Sequence, residues 1–116
     1  MRRGYYFRIQ DILDCISAIE GYIASKTEED FFIDRMLQDA VIRRLEIIGE
    51  ATKHIPDDIR ARYPDVPWKK MAGLRDIAIH DYVELVQERI WKTLISELPK
   101  TRKQIEMIQK DLSSKA

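Results

Sequence analysis

The chain has 116 residues, of which 45% are hydrophobic and 34% charged, with only four glycines and four prolines. This length suits one domain with a single hydrophobic core, and the composition favours long helices and excludes a disordered chain. Twenty Lys and Arg residues balance twenty Asp and Glu residues, so no overall positive charge attracts nucleic acid, and any such contact must rest on a local patch.

The first half of the chain predicts two helices, because apolar residues recur there at steps of three and four. The first helix runs from Tyr5 to about Ser25. Thr27 is a typical N-cap for the second, since three acidic residues follow it. We expect this second helix to continue unbroken to Ile55, ahead of Pro56. Its apolar residues cover more than one stripe, so it is either the central helix of the bundle or has a second face at a subunit interface, which we favour for part of it.

The second half predicts shorter elements. A short turn fits residues 56–64, and Pro67 suits the start of a helix that reaches His80 or slightly beyond. Gly73 inside that helix suggests a close backbone approach. A further amphipathic helix includes Trp91, and Pro99 either closes it or starts the last one. With no strand-like pattern or repeat, the prediction is an all-α protein, an up-and-down helical bundle formed by one domain over residues 1–116.

The expected location is the cytoplasm. The only cysteine, Cys15, cannot form an internal disulfide framework or a cysteine-based metal site. Arg8, Gln10 and Asp11 interrupt the apolar run that an export signal needs, and no stretch approaches the roughly 18 apolar residues of a membrane span. We therefore expect a soluble protein without membrane contact.

Two histidines are the side chains that titrate near neutral pH. His54 lies in the last turn of the second predicted helix, where a structural role at the helix end is favoured. His80 belongs to the segment Arg75-Asp76-Ile77-Ala78-Ile79-His80-Asp81-Tyr82. This segment combines a fixed cation, carboxylates, an imidazole and a phenol, which fits either an active site or a charged helix end.

Helix geometry constrains how such a site could work. On a regular α-helix Asp76 and His80 share a face, so the carboxylate could orient the imidazole, and Arg75 aligns with Tyr82. Arg75 and His80 point about 140° apart. They can meet on one phosphate only if the helix ends or bends near His80, or if a second subunit contributes the other group.

These groups suit RNA cleavage by the 2′-hydroxyl, which requires a base, an acid and a cation for the charge that develops on the phosphate. A single His80 would have to serve as both base and acid, or the His80 of a second subunit would take one role. Asp76, His80 and Asp81 lack a further ligand at a recognisable spacing, so neither a metal nor another cofactor is expected.

A local group of basic residues surrounds the motif in an otherwise neutral chain. Lys69 and Lys70 are candidates for contacts with the RNA backbone, although they also fit ordinary surface charges. Trp68 and Trp91 could stack bases, but their helical spacing favours the core.

Arg75, His80 and Tyr82 match the Arg-X4-His-X-Tyr motif of the HepT-like branch of the HEPN superfamily. Two further segments, at 34–53 and 67–76, also resemble that family, so the resemblance covers nearly the whole chain. It implies a dimeric helical bundle in which Arg75 and His80 line a shared cleft and cut RNA without a metal. Many members carry Asn where this chain has Asp76, whose negative charge opposes phosphate binding but preserves the orienting role.

The resemblance also implies a partner and a mode of control. Members of this family act as toxins in type VII-like toxin–antitoxin systems, beside an MntA-type nucleotidyltransferase antitoxin that transfers AMP to the motif tyrosine, here Tyr82. The added phosphate and bulk would block the cleft beside Arg75 and His80. The alternative is a non-catalytic helical module that binds a nucleotidyltransferase or a nucleotide.

Overall fold

A computed structural model describes the backbone of residues 3–79 and 83–114, and the side chains of residues 4–76 and 87–114. All regular elements in this part of the chain are helical, which confirms the all-α prediction. Four α-helices form the first half: α1 (Arg3–Ile23), α2 (Glu28–Ile33), α3 (Arg35–Lys53) and α4 (Asp57–Arg62). The second half consists of α5 (Trp68–Gly73), a 3₁₀ helix (Leu74–Ile79), α6 (Val83–Lys92), a π-helical turn (Thr93–Glu97) and α7 (Leu98–Ser114).

The prediction of one unbroken helix from Thr27 to Ile55 is wrong, because the helix is interrupted at Asp34. Thr27 is the N-cap of α2, as predicted, and forms a capping box with Asp30. Asp34 has an extended backbone (φ −99°, ψ 98°), and its Oδ1 accepts a hydrogen bond from the amide of Leu37 at 3.1 Å. Asp34 thus ends α2 and caps α3, a local alternative to helix continuation that periodicity does not show.

A buried glutamine stabilises this break. Nε2 of Gln38 donates to the carbonyl oxygens of Phe31 at 2.8 Å and Phe32 at 3.0 Å, and lies 3.1 Å from Oε1 of Gln87 on α6. Carbonyls at the end of α2 have no partners within that helix, so the glutamine satisfies groups that burial would otherwise penalise.

The core lies around α3, which packs against α1, α2, α5 and the 3₁₀ helix. Its buried residues Val41, Leu45 and Ile48 are fully covered. The prediction that the tryptophans belong to the core is confirmed for Trp68, whereas Trp91 is partly buried at the edge of the core. Trp68 is buried and its indole N–H donates to the carbonyls of Arg60 and Tyr63, while Trp91 packs on Phe31 with ring centroids 5.5 Å apart.

Pro99 is the second residue of α7, but it neither ends a helix nor starts a separate one, because the helical backbone continues from α6 through the π-helical turn into α7. A proline cannot donate a backbone hydrogen bond within a helix. The preceding π-helical turn accommodates this, because the amide of Leu98 donates to the carbonyl of Thr93, five residues earlier. Among the helices described, none is long and apolar enough to cross a membrane.

Candidate active site

Arg75 lies at a surface cleft formed by α1, α3 and the 3₁₀ helix. We call it the Arg75 cleft, a cavity of about 330 Å³. Its charged side chains are three arginines and three carboxylates: Arg8, Arg43, Arg75, Asp11, Glu46 and Glu50. Arg75 is half exposed, so its guanidinium is accessible to a ligand while its backbone is packed on α3.

Gly49 allows the 3₁₀ helix to approach α3 at Arg75. A Cβ added at Gly49 would lie 2.8 Å from the Cβ of Arg75 and 2.9 Å from its Cα, and would also overlap its backbone nitrogen. Such distances are far below van der Waals contact, so a side chain at this position would displace the segment. The predicted close approach at Gly73 is wrong for the described part of the chain, where a Cβ at this position would meet no atom within 4 Å.

Glu50, the residue after Gly49, holds the Arg75 side chain. Nη1 of Arg75 lies 2.9 Å from Oε1 of Glu50. The other carboxylate oxygen of Glu50 is 3.1 Å from Nε2 of His54, one helical turn later. Glu50 therefore joins the motif arginine to a histidine at the end of α3.

The surroundings of Glu50 favour its ionised form. A hydrogen bond from His54 is the main factor that holds the pKa of this carboxyl below its ordinary value, and the positive charges of Arg75, His54 and Lys53 lower it further. Partial desolvation acts in the opposite direction. Glu50 is therefore a carboxylate near neutral pH.

His54 lies at the end of α3, as predicted, as its C-cap residue. Its ring pairs with Glu50, a residue of the Arg75 cleft, so it affects the cleft through that carboxylate as well as capping the helix.

The geometry predicted around Asp76 is corrected, because this segment is a 3₁₀ helix up to Ile79. Residues three apart share a face in a 3₁₀ helix, so the four-residue spacing used for Asp76 and His80 does not apply there. Oδ1 of Asp76 lies 4.0 Å from Nε of Arg75. His80, Asp81 and Tyr82 lie outside the described residues, so the orienting role of Asp76 and the predicted places of His80 and Tyr82 stay predictions.

Comparison with known proteins identifies the family. A family model described as ribonuclease HepT-like matches residues 12–108. The chain belongs to this family of HepT-like ribonucleases. The resemblance that the motif predicted is thereby confirmed.

Named relatives agree with this assignment. A probable ribonuclease HepT of Thermococcus cleftensis is 39% identical over 110 residues, which cover 95% of this chain and 100% of that protein. A Methanocaldococcus jannaschii protein, named a gamma-glutamylcyclotransferase and provisionally an RNase, is 42% identical over 112 residues, 97% of this chain and 50% of that protein. This HepT-like chain thus spans about half the length of the second relative. No solved structure matches this chain.

The two predicted RNA-binding lysines do not line the Arg75 cleft. Lys69 is exposed on α5. Lys70 lines a different cavity of about 270 Å³. Its Nζ lies 3.7 Å from Oε1 of Glu97. The arginines that share a cleft with the motif arginine are Arg8 and Arg43, which sequence reasoning missed.

Glu50 and Gly49 were also missed as site residues. Both lie 25 or more positions before Arg75 in the chain, in a helix predicted for other reasons. A glycine inside the long predicted helix was the available signal. A glycine within a helix indicates a close backbone approach, an inference drawn from the sequence only at Gly73. Within the described part of the chain, three or more His, Cys, Asp or Glu side chains do not come together as metal ligands.

Proposed function

We propose that this HepT-like chain is a metal-independent endoribonuclease toxin of the cytoplasm that acts through Arg75 and His80. The observation that carries the proposal is the position of Arg75, whose guanidinium is fixed by α3 and yet half exposed in a cleft. A guanidinium suits a phosphodiester because it presents several N–H donors in one plane and stays charged. Family membership supports RNA as the substrate.

The proposed reaction is attack of the RNA 2′-hydroxyl on the adjacent phosphorus. Arg75 stabilises the charge that develops on the phosphate oxygens, and His80 transfers a proton. Asp76 is adjacent to Arg75 in the chain and contributes to the electrostatics of the site. Because this reaction uses an internal nucleophile, it requires no metal-activated water.

The test is cleavage of a fluorescent oligonucleotide in EDTA by the wild type, Arg75→Ala and His80→Ala. We expect cleavage by the wild type alone, with products that end in a 2′,3′-cyclic phosphate. The control is Arg102→Ala, which removes an arginine that is 27% exposed and pairs with Glu20 and Glu106 outside the cleft; this variant should cleave RNA like the wild type. A wild type that leaves RNA intact would favour the non-catalytic module.

We propose that a nucleotidyltransferase of the MntA type controls this activity by transferring AMP to Tyr82. An AMP attached to Tyr82 would add a negatively charged phosphate to the motif that contains Arg75 and His80, and it would compete with RNA for the cleft. Intact mass measurement after incubation with the partner and ATP tests this. We expect a gain of one AMP in the wild type and none in Tyr82→Phe. A gain that persists in Tyr82→Phe would place the modification elsewhere.

We also propose that the chain acts as a homodimer. Ile33 and Met36, at the break between α2 and α3, are 83% and 84% exposed. Large apolar side chains grouped on a surface favour an interface. Sedimentation of the wild type and of the double variant Ile33→Lys, Met36→Lys tests the contact. Dissociation of a wild-type dimer in the variant is the expected result, and a monomeric wild type would refute the dimer.

A further inference from the structure

The cleft contains a second group that can transfer a proton. Cleavage by the 2′-hydroxyl needs one group to remove the hydroxyl proton and another to protonate the leaving oxygen. The motif supplies one histidine for these two tasks. We propose that Glu50 is the general base of the reaction and that His80 is the general acid, an assignment that rests on the proposed ribonuclease function.

The position of Glu50 relative to Arg75 carries this proposal. Oε1 of Glu50 lies 2.9 Å from Nη1 of Arg75, the group that binds the reacting phosphate. In a reactive geometry the attacking oxygen lies about 3–3.5 Å from phosphorus. A carboxylate in contact with the phosphate-binding guanidinium is therefore within reach of the 2′-hydroxyl of the preceding nucleotide.

Glu50 also has the accessibility that a base requires. Its side chain is 47% exposed in the cleft. Each carboxylate oxygen has two acceptor sites, so the single contacts with Arg75 and His54 leave capacity for a hydroxyl. A buried structural ion pair would lack this access.

The ionisation state of Glu50 permits the same role. The hydrogen bond from His54 and the charge of Arg75 lower the pKa of the carboxyl, which keeps Glu50 ionised at neutral pH and able to accept a proton, although the lower pKa also makes it a weaker base. The charged groups around it are His54 and Lys53 of α3, Arg75 of the 3₁₀ helix and, along the cleft, Arg8 and Asp11 of α1 with Arg43 and Glu46 of α3. Of these groups, His54, Arg75 and Lys53 lower the pKa of the Glu50 carboxyl.

The proposed step is balanced in atoms and charge. The Glu50 carboxylate takes the proton of the 2′-hydroxyl, the 2′-oxygen forms a bond to phosphorus, and the bond from phosphorus to the 5′-oxygen breaks. His80 in its protonated form gives its proton to that 5′-oxygen. The products are a 2′,3′-cyclic phosphate and a 5′-hydroxyl, after which Glu50 loses its proton to water and His80 regains one.

This assignment differs from a site with two histidines from two subunits. Here the base and the phosphate-binding arginine belong to one chain, so each site needs one His80. The two mechanisms differ in the group whose ionisation limits the rate at low pH. With Glu50 as the base, that group is a carboxyl; with a second His80, it is an imidazole.

The test compares Glu50→Gln, Glu50→Asp and the matched control Glu97→Gln. Glu97 is a half-exposed carboxylate that also pairs with a cation, Lys70, but lies outside the Arg75 cleft. General base catalysis contributes roughly 10²–10⁴-fold, so we expect Glu50→Gln to lower kcat by about that factor, with KM changed less than about threefold. Glu50→Asp retains a carboxylate and should recover part of the loss.

Two further measurements separate catalysis from positioning. In the pH profile of kcat/KM, the wild type should lose activity at low pH with a carboxyl pKa, and this acid limb should be absent in Glu50→Gln. On a uridine 3′-(p-nitrophenyl phosphate) substrate, whose leaving group needs no acid, His80→Ala should regain most of its activity. Glu50→Gln should remain impaired on this substrate, because the 2′-hydroxyl still needs a base.

The proposal is overturned if Glu50→Gln retains the acid limb, or if its activity equals that of Glu97→Gln. A loss through KM alone, with the pH profile unchanged, would assign Glu50 to positioning of Arg75 and also refute the base. A wild type without activity on either substrate refutes the ribonuclease function itself, which distinguishes that failure from failure of the Glu50 assignment. Circular dichroism melts verify that each variant is folded.

Discussion

The backbone of Arg75 packs directly against Gly49, and this contact fixes the motif arginine to the central helix. The adjacent Glu50 then binds the guanidinium of the same arginine at 2.9 Å. Two neighbouring residues of α3 thus set both the backbone and the side chain of Arg75. We therefore expect alanine substitutions at Gly49 and at Gly73 to have opposite effects on the stability of the protein.

Gly49→Ala should destabilise the protein and Gly73→Ala should not. The alanine methyl group at position 49 overlaps the Arg75 backbone, and overpacking typically costs about 1–3 kcal/mol. At position 73 the added methyl group meets none of the described atoms within 4 Å, and φ is not positive. Replacing glycine in a helix should therefore stabilise the protein by up to about 1 kcal/mol. Urea denaturation measures both, and equal effects at the two positions would contradict the assigned contact.

Arg8 and Arg43 should contribute more to RNA binding than Lys69 and Lys70. Both arginines share the cleft of Arg75, and among the described side chains neither has an ion-pair partner. Lys70, in contrast, lies near Glu97. The measurement is the affinity of the His80→Ala variant for single-stranded RNA at several salt concentrations.

Each arginine changed to glutamine in that background should weaken binding and reduce the slope of log affinity against log salt by about 0.7 per lost phosphate contact. The lysine-to-glutamine variants should change the slope less. If the lysine variants have the larger effect, the backbone of the RNA follows α5 rather than the Arg75 cleft.

Asp34→Ala should lower the stability of the folded protein, because Asp34 stabilises the break between α2 and α3. Its side chain caps α3 at Leu37, and loss of such a cap costs about 1 kcal/mol. Asp39→Ala is the control, because Asp39 is exposed and only pairs with Arg35 at 3.6 Å on the surface, an interaction worth at most about 1 kcal/mol and often nothing measurable. Thermal melts of the two variants compare them. An Asp34→Ala variant as stable as Asp39→Ala would mean that Gln38 alone sustains the break.

The helical class and the approximate position of most helices follow from periodicity, because buried apolar residues repeat with the helical turn. Periodicity does not show the break at Asp34, since it depends on one side chain that binds its own backbone. It also does not distinguish the 3₁₀ helix after Gly73 from a continued α-helix. The motif identified Arg75, but Glu50 lies far from it in sequence, and only the packing of Gly49 brings the two together.

His54→Ala should raise the pKa of Glu50, because the hydrogen bond from His54 is the largest factor that lowers it. A carboxyl whose pKa is lowered by folding stabilises the folded state above its unfolded pKa, and this contribution is lost as pH falls through the folded value. The stability of the wild type relative to Glu50→Gln should therefore be greatest near neutral pH and decrease in acid. In His54→Ala that decrease should begin at higher pH. Lys53→Gln is the control, since the charge of Lys53 has the smallest of these effects on the pKa of Glu50. An NMR titration of the Glu50 carboxyl carbon measures the shift directly, and a larger shift in Lys53→Gln than in His54→Ala would contradict the hydrogen bond as the main cause. If Glu50 is the base, the acid limb of kcat/KM moves to higher pH in His54→Ala by the same amount.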